Sequence, residues 1–183
     1  MSDSKKSLCV FCASSDAVDS RYKALAADVG RMAAAQGWRV VYGGAKSGMM
    51  GALADGALAA GCEVVGVIPE VLGPQERAHE SLTALHIVAD MHERQKMMAD
   101  LAGGFLILPG GLGTLAEFFE ILTWKAIGLH AKPIALMNAF GYWDAQIEQL
   151  SRAQDESFLH ALSSDLFDIF MDLEDFENFF RAQ

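Results

Sequence analysis

Apolar residues along this chain fall into two alternating rhythms. Short, nearly continuous runs of Val, Ile, Leu and Phe predict strands at 8–13, 39–42, 63–68, 84–88, 104–108, 133–137 and 166–170. Between them run longer segments whose apolar positions recur at helical spacing, at 21–36, 49–60, 92–102, 114–127, 142–154 and 173–180. Strands that are apolar throughout need cover on both faces, and strands alternating with helices supply it. The expected architecture is therefore α/β, a Rossmann-like doubly wound, mostly parallel sheet with helices on both faces. No linker, repeat or low-complexity tract interrupts the pattern, so residues 1–183 read as one domain. In such sheets ligands collect outside the C-terminal ends of the strands.

Two glycine-rich stretches fall at strand-to-helix junctions of that kind. The more informative runs Leu108-Pro109-Gly110-Gly111-Leu112-Gly113-Thr114-Leu115-Ala116-Glu117. Glycines there let backbone N–H groups approach a ligand closely, and the helix start adds unpaired donors and the positive end of a dipole. A phosphate fits those demands, cradled by the amides of Gly110, Gly111, Leu112, Gly113 and Thr114. Glu117 lies one turn inside the helix, and side chains lean toward the helix N-terminus, so its carboxylate reaches back toward the cradle. The purely structural reading is a tight turn made of glycine.

The second stretch is Gly43-Gly44-Ala45-Lys46-Ser47-Gly48-Met49-Met50-Gly51. It is not a Walker loop, because Met49 stands where lysine is required. Close packing of helix on sheet and lining of the same pocket remain equal readings. A dinucleotide site is also a poor match. Gly111-x-Gly113-x-x-Ala116 has the spacing, yet Met137-Asn138-Ala139 stands where an acid would hold the ribose.

Composition narrows the class further. A net charge of −10 disfavours nucleic acid and membrane surfaces as partners, while leaving room for one small anion on backbone amides. No apolar run reaches the roughly 20 residues of a membrane helix, and the polar start at Met1 leads directly into a strand, so a cytoplasmic protein is expected. Cys9, Cys12 and Cys62 then read as reduced thiols. Cys9 and Cys12 have redox spacing but share one predicted strand, where residues three apart face opposite ways; both read as core. His79-Glu80 and His92-Glu93 lack the second histidine of a zinc motif, so neither metal nor cofactor is expected.

The run Asp90 to Met98 packs charge at a helix start, which is ordinarily a solvated face. Arg94 within it opens the helix that feeds the glycine-loop strand, and its planar fork of donors suits a bridge between carboxylate and phosphate. Met91-His92-Glu93-Arg94 together with Pro109-Gly110-Gly111-Leu112-Gly113-Thr114-Leu115-Ala116-Glu117 resembles the paired signatures of the LONELY GUY family, cytokinin riboside 5′-monophosphate phosphoribohydrolases often labelled lysine decarboxylases. Phe11-Cys12-Ala13-Ser14-Ser15, Tyr42-Gly43-Gly44, Gly66-Val67-Ile68-Pro69, Leu122-Thr123-Trp124 and Lys132-Pro133 extend the resemblance over nearly the whole chain.

That resemblance implies a Rossmann-like domain that forms a homodimer and hydrolyses the N-glycosidic bond of a nucleoside 5′-monophosphate. It makes Arg94 and Glu117 catalytic, and Ser14, Glu76, Gln95, Gly111, Gly113, Thr114 and Thr123 substrate contacts. Two positions depart from the family pattern. Gln95 follows the arginine where the family has lysine, and Ala116 replaces the first of two successive acids. Two other readings compete. A nucleotide or molybdenum-cofactor carrier of the same fold would have no use for both Arg94 and Glu117. A pyridoxal-phosphate decarboxylase would need a lysine at the loop, for which only Lys96 and Lys125 are near enough in sequence.

Overall fold

The computed structural model describes residues 6–72, 77–159 and 166–182. Its strands are β1 (Ser7–Phe11), β2 (Arg39–Tyr42), β3 (Val64–Pro69), β4 (Ala84–Val88), β5 (Gly104–Ile107), β6 (Ile134–Met137) and β7 (Asp168–Phe170). They form one sheet in the order β4-β3-β2-β1-β5-β6-β7, and every pairing is parallel. The α-helices among the described residues are α1 (Ser20–Ala35), α2 (Gly48–Ala59), α3 (Met91–Leu101), α4 (Leu112–Ala126), α5 (Asp144–Asp155) and α6 (Leu173–Ala182). Strands and helices alternate as the apolar rhythm predicts.

Side chains along each strand point alternately to the two faces, and this splits the core in two. Leu8, Val10, Val40, Tyr42, Val64 and Leu106 pack beneath α1, α2 and α6. Cys9, Phe11, Val41, Val65, Phe105 and Ile107 pack beneath α3, α4 and α5. The first face is closed by a tight helix pair. A methyl group at Gly30 of α1 would lie 2.4 Å from the Leu53 carbonyl oxygen of α2, and one at Gly56 would lie 2.5 Å from that of Ala27. Both glycines exist so that two backbones can touch.

Boundaries shift where side chains intervene. The segment expected as a helix from 142 begins at Asp144. Asn138 first turns the chain, its Oδ1 accepting the Trp143 amide at 2.7 Å and its Nδ2 donating to Asp144 at 2.8 Å. The same turn holds Phe140 at φ 61°, a left-handed conformation that non-glycine residues seldom adopt. Asn138 is thus committed to its own turn, in keeping with the missing ribose acid.

Strand order sets the place of the site. From β1 the chain builds outward through β2, β3 and β4, then returns to lay β5 on the other side of β1. Loops leaving β1 and β5 head for opposite faces, and a crevice opens between them at the C-terminal strand ends. Two backbone bonds seal its floor: Leu108 N–H to the Phe11 carbonyl at 2.9 Å and Ala13 N–H to that of Pro109 at 3.3 Å.

Candidate active site

The glycine loop after β5 enters α4 through Gly111, which caps the helix without any side-chain bond to its first amides. A Cβ at Gly110 would meet Thr114 Oγ1 at 2.1 Å, so this glycine is demanded by packing. Gly111 and Gly113 are different. A Cβ at either would find nothing within 4 Å, and neither has a positive φ. Neither packing nor backbone conformation requires glycine there. What their bareness provides is room directly over the uncapped amides, which is the requirement of a close-lying anion. Tyr142, ahead of α5, steadies the loop by donating its hydroxyl to the Gly110 carbonyl at 2.7 Å.

One turn deeper, Glu117 meets Arg94. Arg94 Nη2 lies 3.7 Å from Glu117 Oε1, with side chains only 4% and 8% exposed, so the pair is desolvated. Arg94 comes from α3, whose start is fastened by Asp90 accepting the Glu93 amide at 2.8 Å while Glu93 accepts that of Ala89 at 2.8 Å. The acids of that charged run serve the cap, and the arginine turns inward. Its second anchor is the Gly43 carbonyl, 3.4 Å from Nη2. A methyl group at Gly43 would stand 2.0 Å from Nη2, so the glycine after β2 is what admits the guanidinium. Arg94 Nε is buried and has no hydrogen-bond partner among the described residues. A buried donor without a partner is costly, and here that cost falls on the residue that holds Glu117.

Both pieces line one cavity of about 230 Å³, walled by Cys12 to Ser15 after β1, Met50 and Met91, Arg94, and Gly111 to Thr114 with Glu117. Of the residues singled out in the sequence, Ser14, Arg94, Gly111, Leu112, Gly113, Thr114 and Glu117 line this one cavity. Gly110 forms the underside of the loop. Gln95 is buried behind the wall, donating its amide to the Glu117 main-chain carbonyl at 3.2 Å. Thr123 faces outward from α4, its hydroxyl donating to the Phe119 carbonyl at 2.7 Å. Glu76 lies outside the described residues. Tyr142 escapes sequence reasoning, since its part depends on a loop distant along the chain. From the second glycine stretch Met50 reaches the cavity wall and Gly43 admits Arg94, while a Cβ at Gly51 would strike the Lys46 carbonyl of its own loop at 2.1 Å.

Cys9 and Cys12 are buried on opposite faces of the sheet, as expected of core residues. Burial, reinforced by the charge of Glu117, pushes both thiols well above their ordinary range. Cys12 thus presents a protonated, weakly polar surface to the cavity and no nucleophile. Among the described residues no group of three or more His, Cys, Asp or Glu is arranged to hold a metal.

Comparison with known proteins agrees with this geometry. The chain is 46% identical to cytokinin riboside 5′-monophosphate phosphoribohydrolase of Rhodococcoides fascians over 84% of its length and 78% of that protein. It is 38% identical to the phosphoribohydrolase LOG3 of Arabidopsis thaliana, over 83% of this chain and 71% of that one. The chain belongs to this phosphoribohydrolase family. A family model described as possible lysine decarboxylase also matches residues 50–177. Lysine-bound cofactor chemistry does not suit this cavity, because among the described residues no lysine stands in its wall. Lys96 is exposed and pairs with Asp100 at 2.6 Å. In overall fold the chain is similar to the molybdenum cofactor binding protein of Rippkaea orientalis, with a TM-score of 0.76, 19% identity and 99% and 98% of the two chains covered. The molybdenum cofactor carrier protein of Chlamydomonas reinhardtii gives a TM-score of 0.73 at 20% identity, with 97% of each chain covered. At such identity the likeness is one of fold.

Proposed function

We infer that this chain hydrolyses the N-glycosidic bond of adenosine 5′-monophosphate and its N6-substituted forms, releasing the free base and ribose 5-phosphate. The observation that carries this reading is the desolvated Arg94–Glu117 pair one turn behind an unobstructed glycine cradle. The 5′-phosphate lies on the amides from Gly111 to Thr114, and its binding energy places the sugar. As the C1′–N9 bond breaks, its electron pair leaves with the base and positive charge grows on the ribose. The Glu117 carboxylate stabilises that charge and accepts a proton from the water whose oxygen bonds to C1′, later returning it to solvent, while the departing base takes up one proton from solvent. A guanidinium is no general acid, so the duty of Arg94 is to hold Glu117 in place.

Product chromatography after incubation with AMP, N6-isopentenyl-AMP and the matching nucleosides tests this reading. Base release from the monophosphates, with nucleosides turned over far more slowly, is the expected result. Equal turnover of adenosine and AMP would remove the phosphate cradle from the account. Glu117→Gln should lower base release by roughly 10²-fold or more while calorimetry still detects AMP binding. A wild-type protein that binds AMP and never releases base would instead be a carrier.

The working unit is proposed to be a homodimer, supported by the outward face of α4. Leu112, Phe119 and Ile127, with Leu129 just beyond, are exposed apolar residues on or just after a helix whose inner face is already apolar. Three buried cysteines without disulfides suit a reducing, cytoplasmic setting.

A further inference from the structure

Arg94 and Gln95 are consecutive in α3, so their side chains leave the helix in directions about 100° apart. Both nevertheless end on the same residue of α4. Arg94 reaches the Glu117 carboxylate at 3.7 Å, and Gln95 Nε2 donates to the Glu117 carbonyl at 3.2 Å. Gln95 is as deeply buried as Arg94 and forms no part of the cavity wall. Its amide therefore faces the α3–α4 seam and not a bound nucleotide. We propose that Gln95 is a positioning residue which clamps the main chain of Glu117, so that neighbouring residues of α3 grip the reactive acid at both ends.

The chemistry of the amide suits that duty. A helical carbonyl has a second lone pair free after its bond within the helix, and Gln95 fills it without bringing charge. A neutral clamp leaves the balance between Arg94 and Glu117 undisturbed. A cation at the same point would add to Arg94 and hold the Glu117 carboxylate ionised to lower pH. The proposal rests on Glu117 being the reacting carboxylate, and the tests separate failure of one from failure of the other.

Gln95→Met preserves length and removes the donor. With AMP as substrate, kcat should fall roughly tenfold or more while KM stays within about twofold. A raised KM with kcat preserved would mean that Gln95 binds substrate, and the clamp would be wrong. Gln95→Lys restores a donor and adds charge, so kcat should recover and the acid limb of the pH–rate profile should move down by about one unit. An acid limb left in place would overturn the proposal. Should Gln95→Met not fold, carbon-13 titration of the Glu117 carboxyl in wild type and Gln95→Lys still decides the matter, with the signal assigned through Glu117→Gln. The midpoint should fall in the lysine variant, and an unmoved midpoint counts against the clamp. Wild-type protein inert toward AMP, with that midpoint shifted as expected, would sink the hydrolase reading and leave the clamp standing.

Discussion

Glu117 is reached by Arg94, and Arg94 by Gly43, so a residue with no side chain helps hold the acid in place. The guanidinium occupies the volume a Cβ at Gly43 would need. Gly43→Ala therefore pushes Arg94 away from Glu117 without removing either charged group. A displacement of about 1 Å at a reacting group costs on the order of 10²-fold in rate. We expect kcat/KM for AMP to fall by roughly that much, with the far-ultraviolet circular dichroism unchanged. Wild-type kinetics in this variant would show that the contact with Gly43 does not position the arginine.

Among the elements, α4 carries the most duties, and each end has its own chemistry. Its N-terminus is bare at Gly111 and Gly113 for reasons outside the protein's own packing. Gly113→Ala should accordingly stabilise the fold or leave it unchanged, by up to about 1 kcal/mol from helix propensity. The same change places a methyl group over the cradle, so KM for AMP should rise roughly tenfold or more. Thermal denaturation and steady-state kinetics thus move in opposite senses, and a KM at the wild-type value would argue against anion binding there. Beyond the other end of α4, His130 Nε2 lies 2.9 Å from the Ile121 carbonyl and Nδ1 accepts the Lys132 amide at 3.2 Å. Those partners fit a neutral ring that donates from Nε2. Burial lowers the pKa of His130 below 6.5, outweighing the favourable bond to Ile121. The unfolded chain binds the proton more readily, so this contribution is complete above pH 6.5 and is lost as pH falls through the folded value. Denaturant midpoints should drop between neutral pH and about pH 5.5, and drop less in His130→Gln.

For the whole molecule, the outer face of α4 is its exposed apolar surface beside the site. Leu112 is 86% exposed, and Phe119 and Ile127 continue the same face along the helix. Apolar residues gathered on an exposed helix face mark a surface that another molecule covers. A second copy would satisfy that rule, and light scattering should then return twice the 19.7 kDa chain mass. Phe119→Glu sets a charge in the middle of the face and should yield monomer. A monomeric wild type at micromolar concentration would dismiss the homodimer. Among the described residues no helix is long and apolar enough to cross a membrane.

What the chain spelled out alone was local. Apolar periodicity located the strands and helices, because a period is written in consecutive residues. The bare glycines before Thr114 marked a helix start fit for phosphate, because an uncapped N-terminus carries its own donors and dipole. Arg94 and Glu117 were visible as candidates from spacing and resemblance, and Cys9 and Cys12 as core from the two faces of a strand. Their distance was not visible. It depends on β5 returning beside β1, on α3 and α4 sharing one face of the sheet, and on a missing Cβ at Gly43 far away in sequence. The amide of Gln95 on the Glu117 carbonyl and the hydroxyl of Tyr142 on Gly110 belong to the same class. Such contacts are fixed by how elements cross and pack, and no stretch of neighbouring residues encodes the crossing.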